Sequence, residues 1–363
     1  MRSYSAKPLF AISRKLLLSM LLVGLAYYAG ARLGLILSDP VDRITLVWPA
    51  TGIAVAALLR LGWRITPGIF LAVVLAERAA EHSWGASLGI ACTNTLGPLT
   101  AFWLMKGLRF DPGFTRAKDG PILAFSAVLG MTVTAAGGAL GLVLGERIPW
   151  EAFSAAWTRW WLGDSGGVLL MAPLLISLTR ENLSGIRRRP AEFTLLCLGI
   201  AIGGWLIFFA PGAAGEVPHL QAFTILPLVA WGAMRFGSLG AGFSTLAISI
   251  VAAGASALGK GQFHLPDAQQ GTLLLWSFIV TSSLLGLMIT AMQTQRLWSE
   301  RRLLALIDTA PNVAVRWCDR KGIVRYWNRT SESLFGWSEE EALGRDASRL
   351  VGWQDPDGMP EGL

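Results

Sequence analysis

Long apolar stretches follow one another from Leu16 to Met292, and the character of the sequence changes at Gln293. Beyond that point charged and polar residues dominate, and the apolar runs are short. A helix needs about 20 predominantly apolar residues to cross the hydrocarbon core of a bilayer. Segments of that kind recur throughout the first part of the chain. This pattern predicts a membrane-embedded body followed by a water-soluble module.

Ten segments are candidates for membrane-spanning helices. They are residues 16–37, 44–61, 65–82, 84–105, 121–144, 155–178, 192–211, 220–235, 237–258 and 271–292. The eighth is short and nearly touches the ninth, which leaves open that one of them is re-entrant. The predicted fold is therefore an all-α polytopic membrane helical bundle, with about 8–10 spans, followed by a truncated α+β tail.

Composition and charge fit a chain surrounded largely by lipid. Only 15% of the residues are charged, against about 25% in an average soluble domain. The net charge of +7 would suggest nucleic-acid binding in a soluble protein. Here the basic residues lie in loops between apolar runs, where they orient a membrane protein. We therefore expect the lipid bilayer, and no nucleic acid, as a partner.

The distribution of basic residues predicts the orientation. With the N-terminus in the cytoplasm, the opposite side receives only Arg43, Arg78, Arg147 and Lys260. This bias indicates an even number of spans, with both termini in the cytoplasm and the body in the plasma membrane. The first apolar run is too long for a signal peptide and is interpreted as the first span.

Polar residues inside the apolar segments are the candidate site, because ionisable groups are costly at membrane depth and are functional candidates by default. Their positions along the segments place most of them in the outer half of the bilayer. Asp164 has too short a side chain to reach the surface, so we expect it to be buried, with Arg32 or Arg159 as its partner. The full set is Arg32, Trp48, Pro49, Glu77, Asn94, Arg159, Trp160, Trp161 and Asp164.

Each of these residues also has a purely structural interpretation. Arg32 and Arg159 are long enough to snorkel to the headgroups, and Glu77 fits a hydrated helix end. Trp48 fits an anchor in the outer aromatic belt. The sequence leaves open whether Asp164 binds a ligand or only stabilises the bundle.

No catalytic or metal-binding pattern is found in the sequence. The three histidines fall in separate loops without the spacing of metal ligands. The three cysteines suggest neither a disulfide framework nor a metal site. No Walker loop, nucleophile elbow or zincin motif occurs. We therefore expect no catalytic residue, no metal and no cofactor.

Two short elements, Trp48-Pro49-Ala50-Thr51-Gly52 and Trp160-Trp161-Leu162-Gly163-Asp164, carry a resemblance to a known family. With Thr93-Asn94-Thr95-Leu96 between them, they resemble MASE1, an integral-membrane sensory domain of bacterial signalling proteins. The resemblance covers residues 14–295, which we predict to be a MASE1-like sensory domain. The family often has an acidic residue where this chain has Gly97.

The tail, residues 300–363, resembles the start of a PAS domain. Residues 313–317 and 323–327 are predicted strands, and Ser338 with Glu341 predicts a capping box. The residues that match the PAS pattern are Asp319, Gly322, Asn328, Gly336, Glu341 and Gly344. The long helix and the last three strands of a PAS fold are missing from this sequence. We therefore expect residues beyond about 312 to be poorly packed, without haem or flavin.

A helix is predicted to connect the two parts over residues 293–307. Leu297, Leu304 and Ile307 lie at helical spacing among arginines. Such a segment either continues the last span as a signalling helix or is a short amphipathic connector without a partner.

The resemblance implies the input portion of a bacterial transmembrane signal-transduction receptor, which relays an extracytoplasmic or membrane stimulus to a cytoplasmic PAS and output module. In family members the output is a histidine kinase or a diguanylate cyclase or phosphodiesterase; none of their motifs occurs here, so the chain is predicted not to be an enzyme.

The expected stimulus is an unidentified small molecule, and a homodimer is expected by analogy. The alternatives are a polytopic transporter of a small solute and a non-functional truncated remnant.

Overall fold

The computed structural model describes residues 13–36, 47–210, 222–308 and 313–351. The chain divides into two compact units, Met1–Gln293 and Thr294–Leu363. The boundary coincides with the change of composition at Gln293. In the described residues the first unit is built from helices, whereas the second contains a two-stranded sheet and short helices.

Ten helices account for most of the described part of the first unit. They are α1 (Arg14–Ile36), α2 (Pro49–Leu61), α3 (Thr66–Ala79), α4 (Trp84–Gly107), α5 (Asp119–Leu144), α6 (Phe153–Ser177), α7 (Arg180–Arg188), α8 (Pro190–Phe208), α9 (Leu226–Ala257) and α10 (Ala268–Asp308). Helix α10 contains the boundary at Gln293. It continues from the last apolar segment to Asp308.

Seven of these helices are long and apolar enough to cross a membrane: α1, α4, α5, α6, α8, α9 and α10. Their outward surfaces carry large apolar side chains. On α1, for example, Leu17, Leu21 and Leu25 are each more than half exposed. A continuous apolar surface of this kind requires lipid rather than water around it. The predicted polytopic helical bundle is thereby confirmed.

Two of the predicted spans are short. Helix α2 has 13 residues and α3 has 14, which corresponds to about 20 Å at 1.5 Å per residue. The hydrocarbon core of a bilayer is about 30 Å thick. Neither helix therefore crosses that distance by itself, and each depends on its neighbours for burial.

Helix α9 joins the predicted eighth and ninth segments through a sharp bend. At Gly237 the backbone is non-helical, with φ 61° and ψ −147°, a region that favours glycine. A Cβ added to Gly240 would lie only 2.8 Å from the carbonyl carbon of Gly232. Two residues eight positions apart come this close only if the two parts of α9 fold back on each other. The eighth segment is thus a short arm of a bent element.

Helix α6 lies against α2, α5 and α9, and bonds from neighbouring helices satisfy its free carbonyls. Pro173 lacks an N–H, so the carbonyl of Leu169 has no partner within the helix. The hydroxyl of Ser283, on α10, donates to that oxygen at 3.2 Å. At the end of α6, Arg60 of α2 donates to the carbonyls of Ile176 and Leu178 at 2.6 and 2.9 Å.

The second unit contains β1 (Arg316–Cys318) and β2 (Val324–Trp327), which pair antiparallel, followed by α11 (Arg329–Phe335), α12 (Glu339–Ala342) and α13 (Ala347–Val351). Val324, Trp327, Ala342 and Leu350 are buried together. Poor packing beyond residue 312 was therefore a wrong prediction for β2 and the helices that follow. The reason is a local core around the Trp327 indole, which donates to the carbonyl of Trp337 at 2.9 Å. Strand β1 is exposed.

Candidate functional site

Asp164 lies near the middle of α6 and is 1% exposed. Its Oδ1 accepts a 2.5 Å hydrogen bond from the hydroxyl of Thr51, the third residue of α2. A buried carboxylate is costly unless it is hydrogen-bonded. The predicted pairing of Asp164 with Arg32 or Arg159 is wrong: Arg32 is exposed, and within the described residues neither arginine forms an ion pair with Asp164. Helix α2 begins beside the carboxylate and offers a neutral hydroxyl instead.

The start of α2 is fixed to α6 by backbone contact. The N–H of Trp48 donates to the carbonyl of Gly163 at 3.0 Å. Pro49 occupies the first turn, where a missing N–H costs no helical bond. A Cβ added to Gly167 would lie 2.7 Å from the carbonyl carbon of Trp48, so only glycine permits this approach. The W-P-x-x-G and W-W-L-G-D elements therefore meet in one place.

Trp48 lies deeper than an interfacial anchor. Its bonding partner Gly163 is ten residues into α6, about 15 Å from the start of that helix. The indole packs over α1, where a Cβ added to Gly34 would lie 2.6 Å from the ring. The structural alternative for Trp48, an anchor in the outer aromatic belt, does not fit this contact, because the helix that follows Trp48 begins inside the bundle.

Four polar atoms around Asp164 are buried without a hydrogen-bond partner among the residues described. They are the Tyr27 hydroxyl, Trp48 Nε1, Asn94 Oδ1 and Asp164 Oδ2. Tyr27 lies close to the side chains of Trp48 and Asn94 and to the charge of Asp164. Two donors and two acceptors thus share one region. Small rotations of these side chains are enough to pair donors with acceptors, because Tyr27 already faces Trp48 and Asn94.

The two tryptophans before Asp164 hold α6 against α5. The ring of Trp160 packs over α5, where a Cβ added to Gly138 would overlap the ring. The indole of Trp161 donates to the carbonyl of Val128 at 2.8 Å. The side chains of Thr134, on α5, and Trp160 also lie close to the Asp164 carboxylate.

The residue after Asp164 connects α6 with α10. The hydroxyl of Ser165 accepts a 3.0 Å hydrogen bond from the indole of Trp276. The ring of Trp276 also lies against Trp161, with 5.3 Å between ring centroids. These contacts, and the bond from Ser283 to Leu169, place α10 directly beside the polar cluster. Helix α10 is the helix that continues to Asp308.

Glu77 lies near the end of α3 and is buried with His82. Its Oε2 is 2.8 Å from His82 Nδ1. The Glu77 carboxylate is also near enough to Asp164 for the two side chains to interact electrostatically. The burial excludes the hydrated helix end that the sequence left open for this residue.

The structure therefore brings Trp48, Asn94, Trp160 and Asp164 together, with Glu77 nearby and Trp161 on the adjoining helix face, whereas Arg32 points away from them. We refer to Tyr27, Trp48, Thr51, Asn94 and Asp164 as the Asp164 cluster. Sequence reasoning missed Tyr27, Thr51, Ser165 and Trp276 as members of this region. All four are uncharged, and a search for charges inside apolar segments passes over them. The sequence signal that could have identified these residues was the presence of hydroxyl and indole side chains next to glycine-rich stretches.

In the second unit the PAS-pattern residues hold the backbone together. Asn328 is fully buried. Its Oδ1 accepts from the N–H groups of Val315 and Ser331, both at 2.9 Å. Its Nδ2 donates to the carbonyls of Ile307 and Val313, also at 2.9 Å. This one side chain therefore joins the end of α10, the entry to β1 and the start of α11.

The remaining residues of that pattern form turns and caps. Oδ1 of Asp319 accepts from the N–H groups of Lys321 and Ile323 in the hairpin turn. The Ile323 N–H and the Arg325 guanidinium hold the pKa of Asp319 below its ordinary value. The capping box of Ser338 and Glu341 is confirmed. Positive φ angles occur at Gly322, Gly336 and Gly344.

Comparison with known families gives two matches. The MASE1 family model matches residues 19–297, and the PAS fold model matches residues 301–363. No curated protein and no solved structure matches the chain. MASE1 and PAS are sensory domains without catalytic activity.

Proposed function

We propose that this chain, which belongs to the MASE1 family of membrane sensory domains, is the input portion of a bacterial transmembrane receptor. The observation that supports the proposal most is the order of the two matches, with MASE1 over residues 19–297 directly followed by PAS over 301–363. We place the body in the inner membrane with both termini in the cytoplasm, because the basic loops fall on one side. A reporter fused after Met292 is expected to be active only in the cytoplasm.

The Asp164 cluster is the element that we propose to switch. Its donors and acceptors lie side by side without well-formed bonds, and a partly satisfied polar network leaves a second packing close in free energy. An input that stabilises the second packing shifts the population between the two. The cluster is built from α1, α2, α4 and α6, so a change there moves several helices at once.

The relay to the cytoplasm is proposed to run through Ser165 and Trp276. Ser165 follows Asp164 on α6, and its bond partner Trp276 lies on α10. Helix α10 reaches Asp308 without interruption. A rotation or shift of α6 at the cluster therefore reaches the helix that leads into residues 301–363.

Hydrogen exchange in a matched pair of variants tests this relay. We expect Ser165→Ala to change amide exchange over residues 294–308, because it removes the acceptor of the Trp276 indole. Ser249→Ala is the control: Ser249 is also buried, on α9, and its hydroxyl has no hydrogen-bond partner among the described residues. Equal exchange in the two variants would eliminate the proposed relay. Measurements use the full chain in lipid nanodiscs.

A transporter of a small solute is the second candidate. The observation in its favour is α2, a short helix that begins inside the bundle, as the discontinuous helices of transporters do. Uptake of labelled solutes into proteoliposomes distinguishes the two functions. Saturable flux that Asp164→Asn abolishes would favour transport over reception.

A further inference from the structure

A cavity of about 250 Å³ lies where α3 ends, α4 begins and α5 ends. The residues that line it and carry the argument are Arg78, Glu81, His82, Ser83 and Arg147. None of these is part of the Asp164 cluster. The volume suits a small solute, since pockets for drug-sized ligands are about 300–1,000 Å³.

Two guanidinium groups are held around one tight turn of this cavity. Arg78 donates from Nη1 to the carbonyl of His82, and Arg147 donates from Nη2 to the carbonyl of Glu81 at 3.0 Å. The Arg78 guanidinium also lies 4.7 Å from the ring centre of Trp84. Each guanidinium has five N–H donors, so most of them remain for another acceptor.

Both arginines keep their charge unneutralised by a close carboxylate. Within the described residues neither Arg78 nor Arg147 forms an ion pair. The buried carboxylate of Glu77, which precedes Arg78 in the chain, is bonded to His82. The lining therefore holds two cations against the single carboxylate of Glu81. Two fixed cations around one cavity attract an anion.

The start of α4 adds further donors. Ser83 caps this helix, and its hydroxyl accepts from the N–H of Ala86 at 3.3 Å. The first N–H groups of a helix and its macrodipole favour negative charge. Arginine forks and helix N-termini both match the planar or tetrahedral oxygens of carboxylates and phosphates. The cavity thus combines two kinds of oxyanion donor.

Two residues beside the cavity have unusual backbone conformations. Glu81 has φ 66° and Glu146 has φ 56°, in the left-handed region that costs non-glycine residues about 1–3 kcal/mol. Each directly precedes a lining residue, His82 or Arg147. The strained turns therefore fix the positions of the groups that face the cavity.

We propose that this cavity binds a small oxyanion, a carboxylate or a phosphate group, between Arg78 and Arg147. Its use as the stimulus site rests on the receptor function proposed above, whereas the binding itself does not. Glu77 would connect the two sites, since it pairs with His82 at the cavity and interacts electrostatically with Asp164 in the cluster. An anion at the arginines alters the field at this carboxylate pair.

Calorimetric titration of the full chain in phosphatidylcholine nanodiscs tests the proposal, with succinate and inorganic phosphate as separate probes. We expect saturable binding of at least one probe; its identity tells a carboxylate site from a phosphate site. Arg78→Gln and Arg147→Gln are each expected to weaken binding roughly tenfold or more, as loss of a charged hydrogen bond does. Arg64→Gln, at an exposed arginine after α2, is the control and is expected to bind as the wild type does.

The proposal is overturned if neither probe binds saturably, or if both glutamine variants bind as tightly as the Arg64→Gln control. Arg147 is exposed, so its variant keeps the test valid if the half-buried Arg78 variant does not fold. Failure of binding leaves the exchange experiment on Ser165 unaffected. A negative result here is therefore distinguishable from failure of the receptor function.

Discussion

The buried amide of Asn328 in the second unit and the buried polar groups of the Asp164 cluster in the first are bonded in opposite ways. In the second unit, the amide of Asn328 makes hydrogen bonds with both its oxygen and its nitrogen. In the Asp164 cluster of the first unit, four polar atoms have no partner among the described residues. A fully satisfied network specifies one conformation, whereas a partly satisfied one leaves alternatives close in free energy. The comparison suggests a rigid cap after α10 and an adjustable cluster within the membrane.

The units also differ in what brings their elements together. In the first unit, glycine allows the backbones of neighbouring segments to come close together, as Gly167 does with Trp48. In the second, short elements are held by caps and side-chain bonds around the Trp327 core. Lipid offers little hydrophobic drive between helices, so close packing and hydrogen bonds must hold them. The following predictions test this contrast, beginning with the largest expected effect.

The close approach at Gly167 predicts the largest loss of stability. Gly167→Ala places a Cβ 2.7 Å from the Trp48 carbonyl carbon and is expected to cost about 3 kcal/mol through overpacking. Gly89→Ala on α4 is the matched control, because a Cβ there meets no atom within 4 Å. It is expected to be neutral or slightly stabilising. Thermal unfolding in detergent measures both. Equal losses of stability in the two variants would show that close backbone packing at Gly167 does not stabilise the first unit.

Asn328 predicts the next largest effect, confined to the second unit. Asn328→Ala removes bonds to four backbone groups and is expected to cost roughly 2–3 kcal/mol of local stability. Asn328→Asp keeps the bonds that the side-chain oxygen accepts. Its local stability is expected to lie between that of the wild type and that of Asn328→Ala. Hydrogen exchange over residues 313–351 measures the loss. An equal change in the hydrogen exchange of α1–α9 would contradict the prediction that the effect is confined to the second unit.

Substitution of Thr51 tests the hydrogen bond that it donates to Asp164. Thr51→Val keeps the shape but removes the 2.5 Å bond to Asp164, at an expected cost of about 2 kcal/mol. Thr51→Ser keeps the hydroxyl and is expected to stay near wild type. Thermal unfolding in detergent compares the two. If Thr51→Val unfolded at the same temperature as the wild type, the Asp164 carboxylate would have another partner.

Acidification is expected to act on the second unit with the smallest effect. The pKa values of Asp319, Glu341 and Asp346 are lowered mainly by the Ile323 N–H, the Ser338 N–H and the Ser348 hydroxyl. A carboxyl whose folded pKa is depressed stabilises the fold above its ordinary pKa, about 4. That stabilisation is lost as the pH falls through the folded pKa. Exchange protection of residues 313–351, corrected for intrinsic rates, should decline below about pH 4, less steeply in Asp319→Asn.

The helices and the capping motifs were predictable because their signals are local. Apolar run lengths located the helical segments, and Ser338 with Glu341 predicted the capping box found in the structure. The partner of Asp164 was not predictable, because Thr51 is 113 residues away. Charge complementarity suggested an arginine. Thr51 reaches Asp164 because α2 begins inside the bundle. A run of apolar residues does not reveal how deep in the bundle a helix begins.

The packing of residues 313–351 was mispredicted for a related reason. The expectation rested on a whole PAS sheet, whereas Trp327, Ala342 and Leu350 bury one another locally. The bend at Gly237 was only partly visible in the sequence, as two segments that nearly touch. Its φ angle is a property of the fold that surrounds it.

The bond between Thr51 and Asp164 has a consequence for biogenesis, since it joins chain positions 113 residues apart. At about 5–20 residues per second, a ribosome needs roughly 6–20 s to make the intervening chain. During that interval α2, which is too short to cross the bilayer alone, has α1 as a neighbour but not yet α6. We therefore expect the N-terminal helices to be inserted in a provisional arrangement, which reaches its final packing only when α6 is in place.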